Sequence, residues 1–344
     1  MKLITTVQEV AGFTVSPDRK LFSATHEEIA AGLTTDIYFV KTREILDKMG
    51  RADAHVVAEI FARSSGVFAG VEEVKRLLMD TGVEVWSLPE GQEFAPKEVV
   101  MRIHGPYGKF GIYETAVLGI LASSSGWATR AREAKKAAGD KPALCFGARH
   151  VHPAVAPVME RAAIVGGADG ASCILGAKLA GLEPTGTVPH ALILIVGDTV
   201  AAAQGYDEHM PPSSPRSMLV DTFKDEVEES LRLAAAMGTK LESVRLDTPG
   251  ERGGVTPGLV AELRARLDMH GFNHVRIFVS GGLDPERIRI LSEAGADAFG
   301  VGSYISGAPP IDMTMDLKEI DGRPIAKRGR IPGITPSERL VQIL

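Results

Sequence analysis

The stretch IFVSGGLDPERIRILSEAGADAFGVGSYIS, residues 277–306, decides the fold. A buried strand ends at Ser280-Gly281-Gly282, a helix opens at Pro285, and a second strand ends at Gly300-Val301-Gly302-Ser303. Glycines at the C-terminal ends of consecutive strands let backbone N–H groups approach a phosphate without interference from a Cβ. In α/β barrels, phosphate sites are built from the loops after the last two strands. Paired glycine clusters at adjacent strand ends therefore point to phosphate binding rather than to tight turns alone.

Outward from this unit the rhythm repeats. Glu114–Ala138 reads as a long helix, followed by short apolar strands alternating with helices. The expected strands are Ala143–Phe146, Ala171–Ile174, Thr185–Thr187, Met218–Asp221, Ser243–Leu246, Val275–Val279 and Ala298–Val301. Pro153, Pro257 and Pro285 sit at first-turn positions of helices, and Phe223–Met237 carries acidic residues in its first turns. Such repeats imply a parallel sheet covered on its outer face. About seven units favour an irregular α/β barrel over an open doubly wound sheet.

Residues before Lys109 mix helix and strand without that order. Thr34–Met49, with Thr34 as cap, and Val71–Met79 read as helices. His55–Phe61, Glu84–Leu88 and Val99–Ile103 read as strands. From Met313, DMTMDLKEI and RPIAKRGR flank Asp321-Gly322 as a hairpin. The expected organisation is a smaller α+β sandwich domain, 1–112, joined by a C-terminal return, 313–344, and an α/β barrel domain, 113–312.

Composition narrows the function. Of 344 residues 44% are hydrophobic and 24% charged, the balance of a globular protein that needs no staples. A net charge of −6 leaves no positive field for nucleic acid or an anionic membrane, so neither is expected as a partner. Two cysteines, Cys145 and Cys173, make neither a disulfide framework nor a four-thiolate zinc site. MKLITTVQEV lacks the apolar stretch of a signal peptide, and Thr115–Thr129 is too short for a membrane span. A cytoplasmic location is expected.

Polar residues recur at the strand ends. Arg245 and Asp247 are two apart, hence on one strand face. Arg245 suits an oxyanion, and Asp247 suits ribose hydroxyls or a magnesium-bound pyrophosphate. Arg149 follows the strand ending at Phe146. It can grip a carboxylate or phosphate, while Phe146 can stack on a flat ring. His190 lies just past GTVP, and Asp221 ends MLVD. Five such residues beside glycine nests describe an enzyme acting on a phosphorylated small molecule at a barrel mouth.

Read together, the motifs FGAR (146–149), GTVPH (186–190), LVDT (219–222), RLD (245–247), SGG (280–282) and GVGS (300–303) resemble, in order, those of the type II phosphoribosyltransferases. The similarity is greatest to the nicotinate phosphoribosyltransferases, and Thr35-Asp36-Ile37-Tyr38 resembles their N-terminal T-D-x-Y segment. The resemblance implies that nicotinate joins 5-phosphoribosyl-1-pyrophosphate, giving nicotinate mononucleotide and pyrophosphate in NAD biosynthesis, with ATP hydrolysis coupled as a co-substrate reaction. His190 matches the transiently phosphorylated histidine, and Arg149 the arginine near the nicotinate carboxylate. Phe146 and Tyr38 match the two faces of a ring sandwich, Tyr38 coming from a partner subunit. A homodimer or an assembly of dimers follows. Arg245 and Asp247 match ribose and pyrophosphate contacts, and Asp221 an acid near magnesium. Mg2+ is expected to be held mainly through substrate pyrophosphate, with Asp221 and Asp247 as the protein's contributors. Gly281, Gly282, Gly302 and Ser303 match the 5′-phosphate cradle, and Thr187, Ser172 and Ser280 join the substrate-binding set. Some archaeal relatives carry a cysteine-rich zinc knuckle that two cysteines cannot build, so no zinc is expected. Ser172-Cys173 stands where many relatives carry Ser-Asn.

The nearest rival is decarboxylating quinolinate phosphoribosyltransferase. Its substrate has two carboxylates and typically meets T-R-K-T where this chain has FGAR. Other readings are a non-catalytic nucleotide-binding relative, disfavoured by an intact polar set, and an aldolase, disfavoured because no expected strand end carries lysine.

Overall fold

A computed structural model describes residues 1–344, which divide into two compact units. One is Met1–Thr129 with Pro309–Leu344, the other Arg130–Ala308. The changeover falls inside the helix Glu114–Ala138. Its first half is stitched to the first unit. Val117 and Leu121 enter that unit's core, and the Ser125 and Thr129 hydroxyls accept from Ala69 N at 3.2 Å and Val67 N at 2.9 Å.

The first unit is built on an antiparallel sheet in the order Arg323–Pro324, Met313–Ile320, His55–Ala62, Val99–Pro106, Glu84–Ser87, Val341–Gln342. Its core gathers Ile60, Phe68, Leu78, Leu88, Met101, Ile103 and Phe110. The expected hairpin at Asp321-Gly322 forms. Both turn residues have positive φ, +49° and +75°, as a two-residue primed turn requires. The helix expected from Thr34 begins instead at Ile37, with Asp36 at the N-cap. The Asp36 carboxylate makes no capping bond there and accepts from Thr115 Oγ1 at 3.2 Å.

The second unit is a wholly parallel sheet in the order Gly170–Ala171, Ala143–Cys145, Ala298–Val301, Arg276–Ser280, Ser243–Leu246, Ser217–Leu219. It has six strands, not about seven, and its two edge strands are not paired with each other. The missing strand is Thr185–Thr187. Pro184 and Pro189 flank it without backbone donors, and only Thr185 N reaches a neighbour, Ala171 O at 2.9 Å. Ile174, expected at a strand end, opens the helix Ile174–Leu179. Pro153 precedes a helix that starts at Ala156, where Pro157 occupies the first turn. Three helices after strands carry side-chain caps: Asp225, Thr256 and Asp284 each accept from a first-turn amide. These caps make the strand–turn–helix corners rigid on the side of the sheet where the polar residues collect. No helix is long and apolar enough to cross a membrane.

Candidate functional site at the carboxyl ends of the parallel strands

Arg245 organises the centre. It points from the strand Ser243–Leu246 and spends its donors on three neighbours: Nε to Ser280 Oγ at 2.8 Å, Nη1 to Thr187 Oγ1 at 2.8 Å and Nη2 to Asp247 Oδ2 at 3.3 Å. Ser280 Oγ in turn donates to Asp247 Oδ1 at 2.7 Å. Burial pulls the proton affinity of Arg245 down, Asp247 and Asp221 oppose that, and Arg149 adds to it. The expected shared face of Arg245 and Asp247 is therefore present, and Thr187 is drawn in although its segment is not a strand.

His190 begins the helix His190–Val196. Its Nδ1 lies 3.0 Å from Thr222 Oγ1, and its Nε2 lies 3.5 Å from Asp221 Oδ2 and 3.9 Å from Asp247 Oδ2. The Asp221 carboxylate is almost wholly buried, and neither oxygen has a hydrogen-bond partner. Burial raises its pKa, opposed by His190 and reinforced by Asp247. A buried carboxylate left without donors is costly unless a cation or proton meets it. With His190 Nε2, 3.5 Å away, as their one ion-pair partner, these oxygens are free to receive a divalent cation. No group of three ligating side chains assembles, so the protein offers no complete metal cage.

Phe146 stands edge-on to Phe278 at 5.7 Å, with the Arg245 guanidinium 5.3 Å from its ring centre. Gly300 makes room for it, since a Cβ there would meet the ring at 2.7 Å. Gly281 and Gly282 have φ of +92° and +61°, a backbone that side chains disfavour. Gly302 packs so closely that a Cβ would lie 2.9 Å from His150 Cε1, and Ser303 follows it.

Arg149 is exposed and lines a hollow of about 460 Å³ with Ala148, Val151, Pro153, Ala156, Ser172 and Cys173. The Ser172 hydroxyl does not face outward; it donates to Glu160 at 2.9 Å. Tyr38 belongs to the first unit, 55% exposed in the first turn of the helix Ile37–Lys48, and its ring lies 4.3 Å from that of Phe39. Four neighbours of the site were not singled out from sequence: Thr222, Phe278, His150 and Glu160. Thr222 was within the LVDT motif. His150, whose Nδ1 lies 3.2 Å from Ser306 Oγ, was adjacent to Arg149. Phe278 and Glu160 carried no signal, for an inward phenylalanine on a strand and a glutamate in a helix are both ordinary.

Models of the N-terminal and C-terminal domains of quinolinate phosphoribosyl transferase match residues 36–125 and 127–316. The chain belongs to this family. It is the type II group that the ordered motifs resemble. The crystal structure of a nicotinate-nucleotide pyrophosphorylase from Pyrococcus furiosus is similar at 46% identity and a TM-score of 0.87, covering 92% of this chain and 82% of that one. A nicotinate phosphoribosyltransferase of Mycobacterium tuberculosis is 33% identical over 70% of this chain and 52% of its own length. The chain thus spans about half the length of the curated relatives it matches first. The crystal structure of human nicotinic acid phosphoribosyltransferase shares the fold, with a TM-score of 0.69 at 19% identity, over 86% of this chain and 76% of that one.

Proposed function

We propose that this chain is a phosphoribosyltransferase that joins nicotinate to 5-phosphoribosyl-1-pyrophosphate, giving nicotinate mononucleotide and pyrophosphate. One observation carries the choice of substrate: the hollow beside the strand ends contains a single cation, Arg149, among apolar and neutral side chains. One carboxylate can pair with it bidentately. A second would find no second cation in the lining. A monocarboxylate is therefore the substrate class that the lining supports.

In this reading Gly281, Gly282, Gly302 and Ser303 cradle the 5′-phosphate through the backbone, with side chains disfavoured by φ at Gly281 and Gly282 and by close packing at Gly302. Asp247 receives the ribose, its carboxylate held in place by Ser280 and Arg245. As the C1–O bond to pyrophosphate breaks and the pyridine nitrogen bonds to C1, negative charge grows on the departing pyrophosphate and positive charge on the ribose. Arg245 offsets the first, and Asp247 the second. Magnesium bound with the pyrophosphate supplies further charge neutralisation. The donors of this chain that fit it are Asp221, with its unpartnered oxygens, and Asp247; substrate oxygens and water must complete the shell.

ATP is the proposed co-substrate, with His190 as acceptor of the γ-phosphoryl group. The bond to ADP breaks as the phosphorus–nitrogen bond forms, and later hydrolysis returns phosphate. Support comes from the histidine's position, fixed by Thr222 and facing the two carboxylates. We extend the proposal to a homodimer in which Tyr38 serves a neighbour's site, supported by the exposure of that side chain.

The second reading is decarboxylating transfer to quinolinate. The family model's name favours it, as does the description of the Pyrococcus furiosus relative as a nicotinate-nucleotide pyrophosphorylase. A substrate panel separates the two: nicotinate, nicotinamide and quinolinate, each with phosphoribosyl pyrophosphate and magnesium, with and without ATP. Mononucleotide from nicotinate, faster with ATP, is the expected result. Carbon dioxide release from quinolinate would replace this reading with the second.

A further inference from the structure

Beneath the hollow lies a carboxylate that the chemistry above does not use. Glu160, on the helix Ala156–Gly166, is fully buried, yet three donors from two separate loops converge on it. Oε1 accepts from Ala148 N at 3.2 Å and from Ser172 Oγ at 2.9 Å, and Oε2 accepts from Cys173 N at 2.5 Å. Ala148 adjoins Arg149 on one wall of the hollow, and Ser172 and Cys173 form the other. The same helix supplies Ala156 to the lining.

We propose that Glu160 is the positioning residue of the ring-binding hollow, a clamp that ties the Arg149 loop to the Ser172-Cys173 loop and so sets the affinity for the pyridine carboxylate. The proposal rests on the reading of this hollow as the nicotinate site. The chemistry of the clamp demands a carboxylate. All three partners donate, and an ionised carboxylate only accepts. Glutamine has nearly the same shape but carries an NH2 where one of those donors points. Either an N–H meets an N–H or a loop moves away, leaving a buried donor unsatisfied. Aspartate keeps the charge but is one methylene short of bridging both loops. Burial raises the proton affinity of Glu160, and its bonds to Cys173, Ser172 and Ala148 oppose that rise.

A clamp of this kind acts mainly on the ring, since Gly281, Gly282 and the Arg245–Asp247–Ser280 triad belong to other strands, and only Gly302 of the phosphate cradle touches the Arg149 loop, at His150. The test compares Glu160→Gln and Glu160→Asp with the wild type. Nicotinate binding is measured by titration calorimetry, KM for nicotinate and for phosphoribosyl pyrophosphate by steady-state kinetics, and amide exchange at Ala148 and Cys173 by NMR. The expected result for Glu160→Gln is an affinity and KM for nicotinate weaker by about tenfold or more, the scale of losing a group that holds a binding residue in place. KM for phosphoribosyl pyrophosphate stays within about twofold, and protection is lost at Ala148 and Cys173. Glu160→Asp is expected to fall between the two. Wild-type affinity for nicotinate in Glu160→Gln would overturn the clamp alone. Equal weakening towards both substrates would also overturn it, marking Glu160 as a general stabiliser. If the wild type itself binds no nicotinate, the functional reading fails first, and the clamp's stated role with it.

Discussion

The imidazole of His190 is held from one side by Thr222, whose hydroxyl lies 3.0 Å from Nδ1, and this leaves Nε2 turned towards Asp221 and Asp247. A single hydroxyl therefore orients the proposed phosphoryl acceptor between two carboxylates. His190→Ala is expected to keep the fold and abolish stimulation by ATP, measured as the ratio of rates with and without it. Thr222→Val is expected to reduce that ratio by about tenfold or less, because orientation is lost but the imidazole stays. Full stimulation in His190→Ala would demote the histidine to scaffold.

Asp247 accepts from both Ser280 and Arg245, so its charge serves the ribose and the arginine together. Asp247→Asn is expected to lower turnover by roughly 100-fold, the scale seen when one electrostatic contact to a transition state is removed. Stability should fall only by about 1 kcal/mol, since one acceptor remains. Steady-state rates and thermal unfolding on the same preparation check this. A variant that is inactive because it is unfolded would contradict it.

The glycine cradle predicts a graded steric series. At Gly302 a Cβ would meet His150 Cε1 at 2.9 Å, and at Gly281 it would meet Asp247 Oδ1 at 3.2 Å on a backbone with φ of +92°. Each alanine variant is expected to weaken phosphoribosyl pyrophosphate binding, and Gly281→Ala to cost about 1 kcal/mol of stability or more as well. Gly282 has open space around its Cβ position but φ of +61°, so Gly282→Ala should lose stability without the steric loss in binding. Titration calorimetry with phosphoribosyl pyrophosphate and thermal melts read the two effects separately.

Stability should depend on pH through Glu114 in the first unit. Burial, with Asp316 adding to it and Lys327 opposing, pushes its carboxyl up to about 7 from 4.5. The folded state then binds a proton that the unfolded chain has released between those values, so stability falls as pH rises from about 4.5 to 7. Glu114→Gln is expected to flatten that part of the profile and to melt higher than the wild type at pH 8. Parallel melting curves across the range would dissociate the slope from this residue.

Tyr38 is expected to act only in an assembly. Light scattering on active preparations should give the mass of at least two chains, and Tyr38→Ala should weaken nicotinate more than phosphoribosyl pyrophosphate. A fully active monomer would overturn the shared-site proposal.

Much of this was open to a reading of the chain alone. The strands Ser243–Leu246 and Ala298–Val301, the helix Glu114–Ala138 and the turn at Asp321-Gly322 follow from short-range rules: short apolar segments alternating with helical ones, and residues that tolerate positive φ. Arg245 and Asp247 follow too, because a period of two puts them on one face. What the chain alone did not determine depends on residues distant in sequence. Thr185–Thr187 has the composition of a strand, but flanking prolines and the neighbours actually in reach leave it as a loop that delivers Thr187 to Arg245. The division inside Glu114–Ala138 is decided by which side chains meet Ala69 and Val67. The same is true of Glu160. An ordinary helical glutamate becomes a buried clamp only when two loops bring three donors onto its oxygens, and hydrogen-bond geometry between distant segments is a property of tertiary packing.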